Sequence, residues 1–186
     1  TSVLGSAVAA FNEVCPDRFD LVHKHFRKFC DVLVDTEEWG QVHILNMLTR
    51  YARTQFVDPE KIEKEENTED EDDDFMSGFD DISGFAVEPD LRILLDSCLP
   101  LLKSRNASVV MGVAQLYQYL APKGELHKVA KALVRCMRDS RETAYFILTF
   151  INSMVQQNPS LFQTWMPDFF VSNNDPTFTR TLKLNI

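Results

Sequence analysis

"NASVVMGVAQLYQYLAPKGELHKVAKALVRCMRDSRETAYFILTFINSMVQQN", residues 106–158, reads as three helices in succession. Asn106 has the chemistry of an N-cap. Pro122 and Gly124 separate the first helix from the second, and the third begins near Arg141. With "EPDLRILLDSCLPLLKS" just upstream, helix starts fall near 88, 106, 125 and 141, so alternate helices begin 37 and 35 residues apart. Helix pairs recurring at that interval with short loops are the signature of an α-solenoid of the HEAT or armadillo kind. The hydrophobicity agrees. One helix pair cannot bury segments as apolar as 106–122 or 141–158, whereas stacked neighbours do. The expected fold is all-α: stacked antiparallel helix pairs.

The rest of the chain extends the pattern. "SVLGSAVAAFNEVCP" predicts a helix stopped by Pro16. "PDRFDLVHKHFRKFCDVLVD" predicts one more, with Leu21, Val22, Phe26, Phe29, Val32 and Leu33 on one face. Asp35 with Glu38 has the spacing of a capping box for "EEWGQVHILNMLTRYARTQF", a helix apolar enough to be packed on two sides. After residue 158 come "PSLFQTWMPDFF" and "DPTFTRTLKLNI", the latter with Asp175 as cap and Pro176 in the first turn. The one weak competitor to helix is an apolar patch at 169–171. The uncharged stretch 143–167 has a solidly apolar part of only about 12 residues, against the roughly 20 a membrane span needs, so a buried helix is expected. The chain opens without Met or a signal peptide and ends inside a helical pattern, which reads as a piece of something longer.

Charge divides the chain. The net charge is -9 over 186 residues. Residues 58–90 hold 15 acidic and 2 basic side chains, so a mildly basic body carries a strongly acidic segment. Carboxylates at that density repel one another and bury little, so a disordered insert is expected at 58–87, between solenoid helices at 1–57 and 88–186. Thr68 and Ser77 each precede an acid by three residues, the pattern that acid-directed kinases use, and are candidate phosphorylation sites. The four cysteines, Cys15, Cys30, Cys98 and Cys136, form no CxxC pair and read as reduced core thiols in a cytosolic protein.

No nucleophile arrangement, Gly-rich phosphate loop or HExxH motif is present. His23 and His25 are two residues apart and diverge on a helix. No catalytic residue, metal site or cofactor is expected. Two polar sets stand out instead. Lys128, Lys131, Arg135 and Arg138 cover an arc of about 80° on one helix, opposite Leu126, Val129, Leu133 and Met137. Such a strip is either a solvated helix face or a docking surface for an acidic partner or an anionic membrane. It lacks interleaved aromatics, which disfavours nucleic acid. The second set is His43, Arg50 and Arg53, with Asn46 between them, on the helix at 37–56.

Several segments go beyond pattern. "PDRFDLVHKHFRKFCDVLVD" (16–35) and "EEWGQVHILNMLTRYARTQF" (37–56), followed by an acidic insert, resemble the trunk of a β-adaptin, specifically the branch that serves adaptor-protein complex 3. "ETAYFILTFINSMVQQNPSLF" (142–162) and "FFVSNNDPTFTRTLKLNI" (169–186) are similar to the later trunk of that family, with its Asn-Pro helix stop and Asp-Pro helix start. The resemblance implies a structural large subunit of a heterotetrameric vesicle-coat adaptor, not an enzyme. It implies partners in a second large, a medium and a small subunit, and in an Arf-family GTPase. It also implies indirect contact with transmembrane cargo bound for lysosomes and lysosome-related organelles, and clathrin contact only through regions absent from this chain. The expected location is the cytosolic face of Golgi and endosomal membranes and coated vesicles, with peripheral contact to anionic lipid. No motif assigns individual residues to these partners. The competing readings are a solenoid of the nuclear-transport-receptor type and a scaffold of an enzyme complex such as a phosphatase.

Overall fold

The computed structural model describes residues 3–56, 88–139 and 141–186. The expected acidic insert at 58–87, with Thr68 and Ser77, lies outside the described residues. Nine α-helices are described: α1 Leu4–Val14, α2 Phe19–His23, α3 Phe26–Val32, α4 Glu38–Gln55, α5 Pro89–Cys98, α6 Ala107–Leu120, α7 Leu126–Asp139, α8 Arg141–Gln157 and α9 Thr177–Asn185. Three 3-10 segments join them, at Leu99–Lys103, Lys123–Glu125 and Pro159–Phe169. No strand occurs among the described residues, so the apolar patch at 169–171 forms none. No described helix is long and apolar enough to cross a membrane.

The helices stack in two rows. In one, α1 packs on α4, α4 on α6, α6 on α8 and α8 on α9. In the other, α3 packs on α5, and the 3-10 segment after α5 reaches α7, which meets the segment Pro159–Phe169. Hairpins such as α7–α8 connect the rows, and one apolar core runs through the whole stack. This is the α-solenoid that the 35–37-residue spacing predicts.

Burial patterns show why. On α4 the buried residues run from Gly40 and Gln41 through Ile44, Leu45, Met47, Leu48 and Tyr51 to Ala52. At 100° per residue they cover about 160°, wider than the stripe of a helix with one neighbour. Helix α4 is therefore held on two sides, as expected. Where α1 crosses it, Gly5 faces Gly40. A Cβ on Gly5 would lie 2.7 Å from the Gly40 Cα, so the backbones themselves are in contact. On α6 the buried set spans Val109 to Leu120. Within it Tyr117 is fully enclosed, its hydroxyl donating to the Leu95 carbonyl at 2.8 Å.

Helix ends follow proline and caps, with three departures from expectation. Helix α1 stops at Val14, ahead of Pro16, and Asn106 caps α6 by accepting from the Ser108 N–H at 2.9 Å. The helix expected over 16–35 is broken in two. His25 leaves α geometry (φ -120°, ψ 8°), and its N–H bonds Val22 three residues back rather than four. The expected face is kept only in part: Val22, Phe26 and Leu33 are buried and Leu21 is exposed, while Phe19, His23 and Phe26 meet the Tyr51 ring at 5.2–6.2 Å. The Asp35/Glu38 capping box is not made. Instead Thr36 Oγ1 donates to Val32 O, and Gln41 Nε2 donates to Thr36 O at 2.9 Å and Val34 O at 3.3 Å. Nor does Asp175 cap α9. Its Oδ2 accepts from the Ser172 N–H and from Lys183 Nζ, both at 2.8 Å, and Pro176 takes the cap position. All four cysteines are free; Cys30, Cys98 and Cys136 are buried and Cys15 is half-buried.

Candidate partner-binding surface

Helix α7 divides sharply. Leu126, Val129, Ala130, Leu133, Val134, Cys136 and Met137 are buried, while Lys131, Arg135 and Arg138 are exposed and Lys128 is half-buried. The basic strip thus faces away from the core, as the helix periodicity requires.

The four cations have different bonding. Lys128 Nζ donates to Glu125 Oε2 at 3.2 Å, and Arg92 from α5 holds the other oxygen of that carboxylate. Burial pushes the Glu125 carboxyl up, but the hydrogen bonds from Arg92 and Lys128 outweigh it and hold the group below the usual carboxylate range. Arg138 grips Asp168 with two parallel bonds, Nε to Oδ1 at 2.9 Å and Nη2 to Oδ2 at 2.5 Å, tying α7 to the segment Pro159–Phe169. Arg135 Nη2 donates to the carbonyls of Leu102 and Ser104, each at 2.8 Å. These carbonyls end the 3-10 segment after α5, where a cation is favoured. Arg135 therefore clamps two hairpins and has no ion-pair partner among the described residues. Lys131 has no ion-pair partner among the described residues.

The second polar set behaves otherwise. Arg50 Nη2 donates to the Pro16 carbonyl at 2.8 Å, with Asp17 3.8 Å away, so it joins α4 to the turn after α1. The Arg53 guanidinium lies 4.3 Å from the centre of the Tyr119 ring, bridging α4 to α6 by a cation–π contact. His43 is exposed, and its carbonyl accepts from Asn12 Nδ2 at 3.2 Å. Helices α4 and α7 lie in opposite rows, so the structure does not gather the two sets into one site.

Sequence periodicity alone missed the neighbours of the strip. Lys103 ends the 3-10 segment beside α7, Arg105 follows it, and Trp165 of the next segment lies against the same helix. The signal available was the repeat itself, which sets the end of one hairpin beside the first helix of the next.

Residues 1–186 match the family model described as the adaptin N terminal region. The chain is 48% identical over 194 residues to "AP-3 complex subunit beta-1" of Homo sapiens, covering 100% of this chain and 18% of that protein. It is 45% identical over 202 residues to "AP-3 complex subunit beta-2" of Mus musculus, with 100% and 19% covered. Against "AP-3 complex subunit beta" of Dictyostelium discoideum the figures are 42% over 212 residues, with 100% and 19% covered. The chain spans about a fifth of the length of these curated relatives.

Proposed function

The chain belongs to the adaptin N-terminal-region family, and on that premise we propose that it is a trunk portion of a large subunit of an AP-3-type vesicle adaptor. In this role it is a scaffold, not a catalyst. Its stacked hairpins form a wall against which a second large, a medium and a small subunit assemble. The observation that carries the reading is the match over the whole chain, on a fold whose core runs unbroken through both rows.

Residues 1–57 and 88–186 act as one trunk domain in this reading. Two contacts support it: Arg27 of α3 pairs with Asp90 of α5 at 2.7 Å, and Asn106 Nδ2 donates to Glu38 Oε2 at 2.9 Å. The assembled complex works at the cytosolic face of Golgi and endosomal membranes, recruited by an Arf-family GTPase and anionic lipid, and sorts transmembrane cargo toward lysosomes and related organelles. Within the chain, the strip from Lys128 to Arg138 is the surface offered to an anionic partner. His43 is the member of the second set left open to another subunit, since Arg50 and Arg53 tie the stack together.

Co-expression with the other large, the medium and the small subunit of such a complex tests the proposal. One co-eluting species on size exclusion is the expected result; elution of this protein apart from all three overturns it.

A further inference from the structure

The basic strip forms one wall of a trough. The recess between α7, the segment Leu99–Lys103 and Trp165 measures about 820 Å³. Its floor is apolar, made by Leu99, Leu102, Ala132 and the half-buried Trp165. Its walls carry Lys103, Lys128, Lys131, Arg135 and Arg138, and no acidic side chain lines it among the described residues. A second recess of about 580 Å³ shares Lys103, Arg135 and Arg138 with it and adds Arg105 and one acid, Asp139.

Two of these cations are neutralised within the chain, Lys128 by Glu125 and Arg138 by Asp168. The others are not. Lys103, Arg105 and Lys131 have no ion-pair partner among the described residues, and Arg135 bonds only neutral groups. The uncompensated charge is spread along the trough instead of converging on one point. From His127 to Arg138 the helix rises about 17 Å, the length of roughly five extended residues. A single phosphate-bearing headgroup would meet only part of that charge. A flat lipid surface would meet the rim and leave the apolar floor empty. An extended chain with acids on its flanks and a bulky apolar residue toward Trp165 satisfies both walls and floor.

We propose that the trough between α7, the Leu99–Lys103 segment and Trp165 binds an extended acidic peptide of a partner protein through an apolar anchor. The inference rests on the reading of the strip as a docking surface for an anionic partner, and it narrows that partner to a peptide.

The test uses the full chain with Trp39→Phe, which leaves Trp165 as the one indole. The probe is a short labelled peptide of glutamates and aspartates around one central leucine. Saturable binding by anisotropy is expected, with a blue shift of Trp165 emission that disappears when the leucine is replaced by glycine. Lys103→Glu with Lys131→Glu weakens binding by about tenfold or more. The matched remote pair, Lys24→Glu with Lys28→Glu, leaves it unchanged, and circular dichroism melts establish that all variants fold. Equal weakening by both pairs reduces the effect to bulk charge and overturns the inference. Binding to phosphatidylserine vesicles without saturable peptide binding assigns the strip to lipid and overturns the peptide while sparing the docking surface. Binding of neither probe removes both.

Discussion

At the residue scale, the crossing of α1 and α4 depends on two positions without a Cβ. A Cβ on Gly40 would meet the Thr36 Cγ2 at 2.6 Å and the Gly5 Cα at 3.0 Å. The second is backbone, so α1 itself must move. Gly40→Ala is expected to destabilise by roughly 1–3 kcal/mol despite the better helix propensity of alanine. Gly124, with nothing within 4 Å of an added Cβ, is the control. Gly124→Ala is expected to be neutral or slightly stabilising, by about 0.4–1 kcal/mol at most. Urea midpoints separate the two, and equal midpoints would refute the close approach. Neither role was legible beforehand: a glycine in a helical pattern does not announce which backbone lies opposite. The cysteines were more legible. Apolar neighbours predict buried thiols, and burial pushes the Cys98 thiol from 9.0 up to about 12. The folded form keeps its proton after the unfolded chain has lost it. This contribution to stability is therefore complete below about pH 9 and declines as pH rises toward 12, by up to about 1.4 kcal/mol per pH unit. Cys98→Ala should flatten the alkaline fall of the urea midpoint; an unchanged slope would contradict the assignment.

At the scale of elements, what distinguished correct from incorrect expectations was how local the cause is. Asn106 caps α6 through a bond to a residue two positions on, which the sequence states directly. Asp35 and Glu38 have equally good spacing, yet Gln41 ties the turn by reaching back to Val34 and Thr36. Asp175 is drawn to Lys183, eight residues away. In both cases a partner five to eight residues away, outside the first-turn spacing of a cap, holds the turn instead. The α2–α3 break likewise belongs to a segment set against the Tyr51 cluster, which no window of 16–35 contains. Asn106 has a second bond, to Glu38 of α4. Asn106→Ala is therefore expected to cost about 1–2 kcal/mol, at the upper end for a cap. Asn106→Asp keeps the acceptor but loses the donor and sets two carboxylates together, so its denaturation midpoint should fall between those of the alanine variant and the parent. An aspartate variant as stable as the parent would show that the bond to Glu38 contributes nothing.

At the scale of the whole molecule, the two rows leave an aromatic patch at the last hairpin. Tyr145 contacts Phe146 and Phe178 at ring distances of 5.6 and 5.3 Å, while Phe146 remains 68% exposed. A patch of this kind promotes association. Light scattering of the chain alone should therefore rise with concentration, and Phe146→Glu should suppress the rise; a monodisperse parent would contradict this. The stack was legible because its period is set by helix and loop lengths, which are sequence properties. The trough beside α7 was only half legible. Its four α7 cations follow from periodicity, whereas Lys103 and Trp165 arrive from other elements. The proposed role is defined by the company the stack keeps. Affinity purification of the full-length protein from cells, with mass spectrometry of its partners, tests that most directly. A second large, a medium and a small adaptor subunit are expected in near-equal amounts. Recovery of transport cargo or a phosphatase catalytic subunit, with adaptor subunits missing, would contradict it.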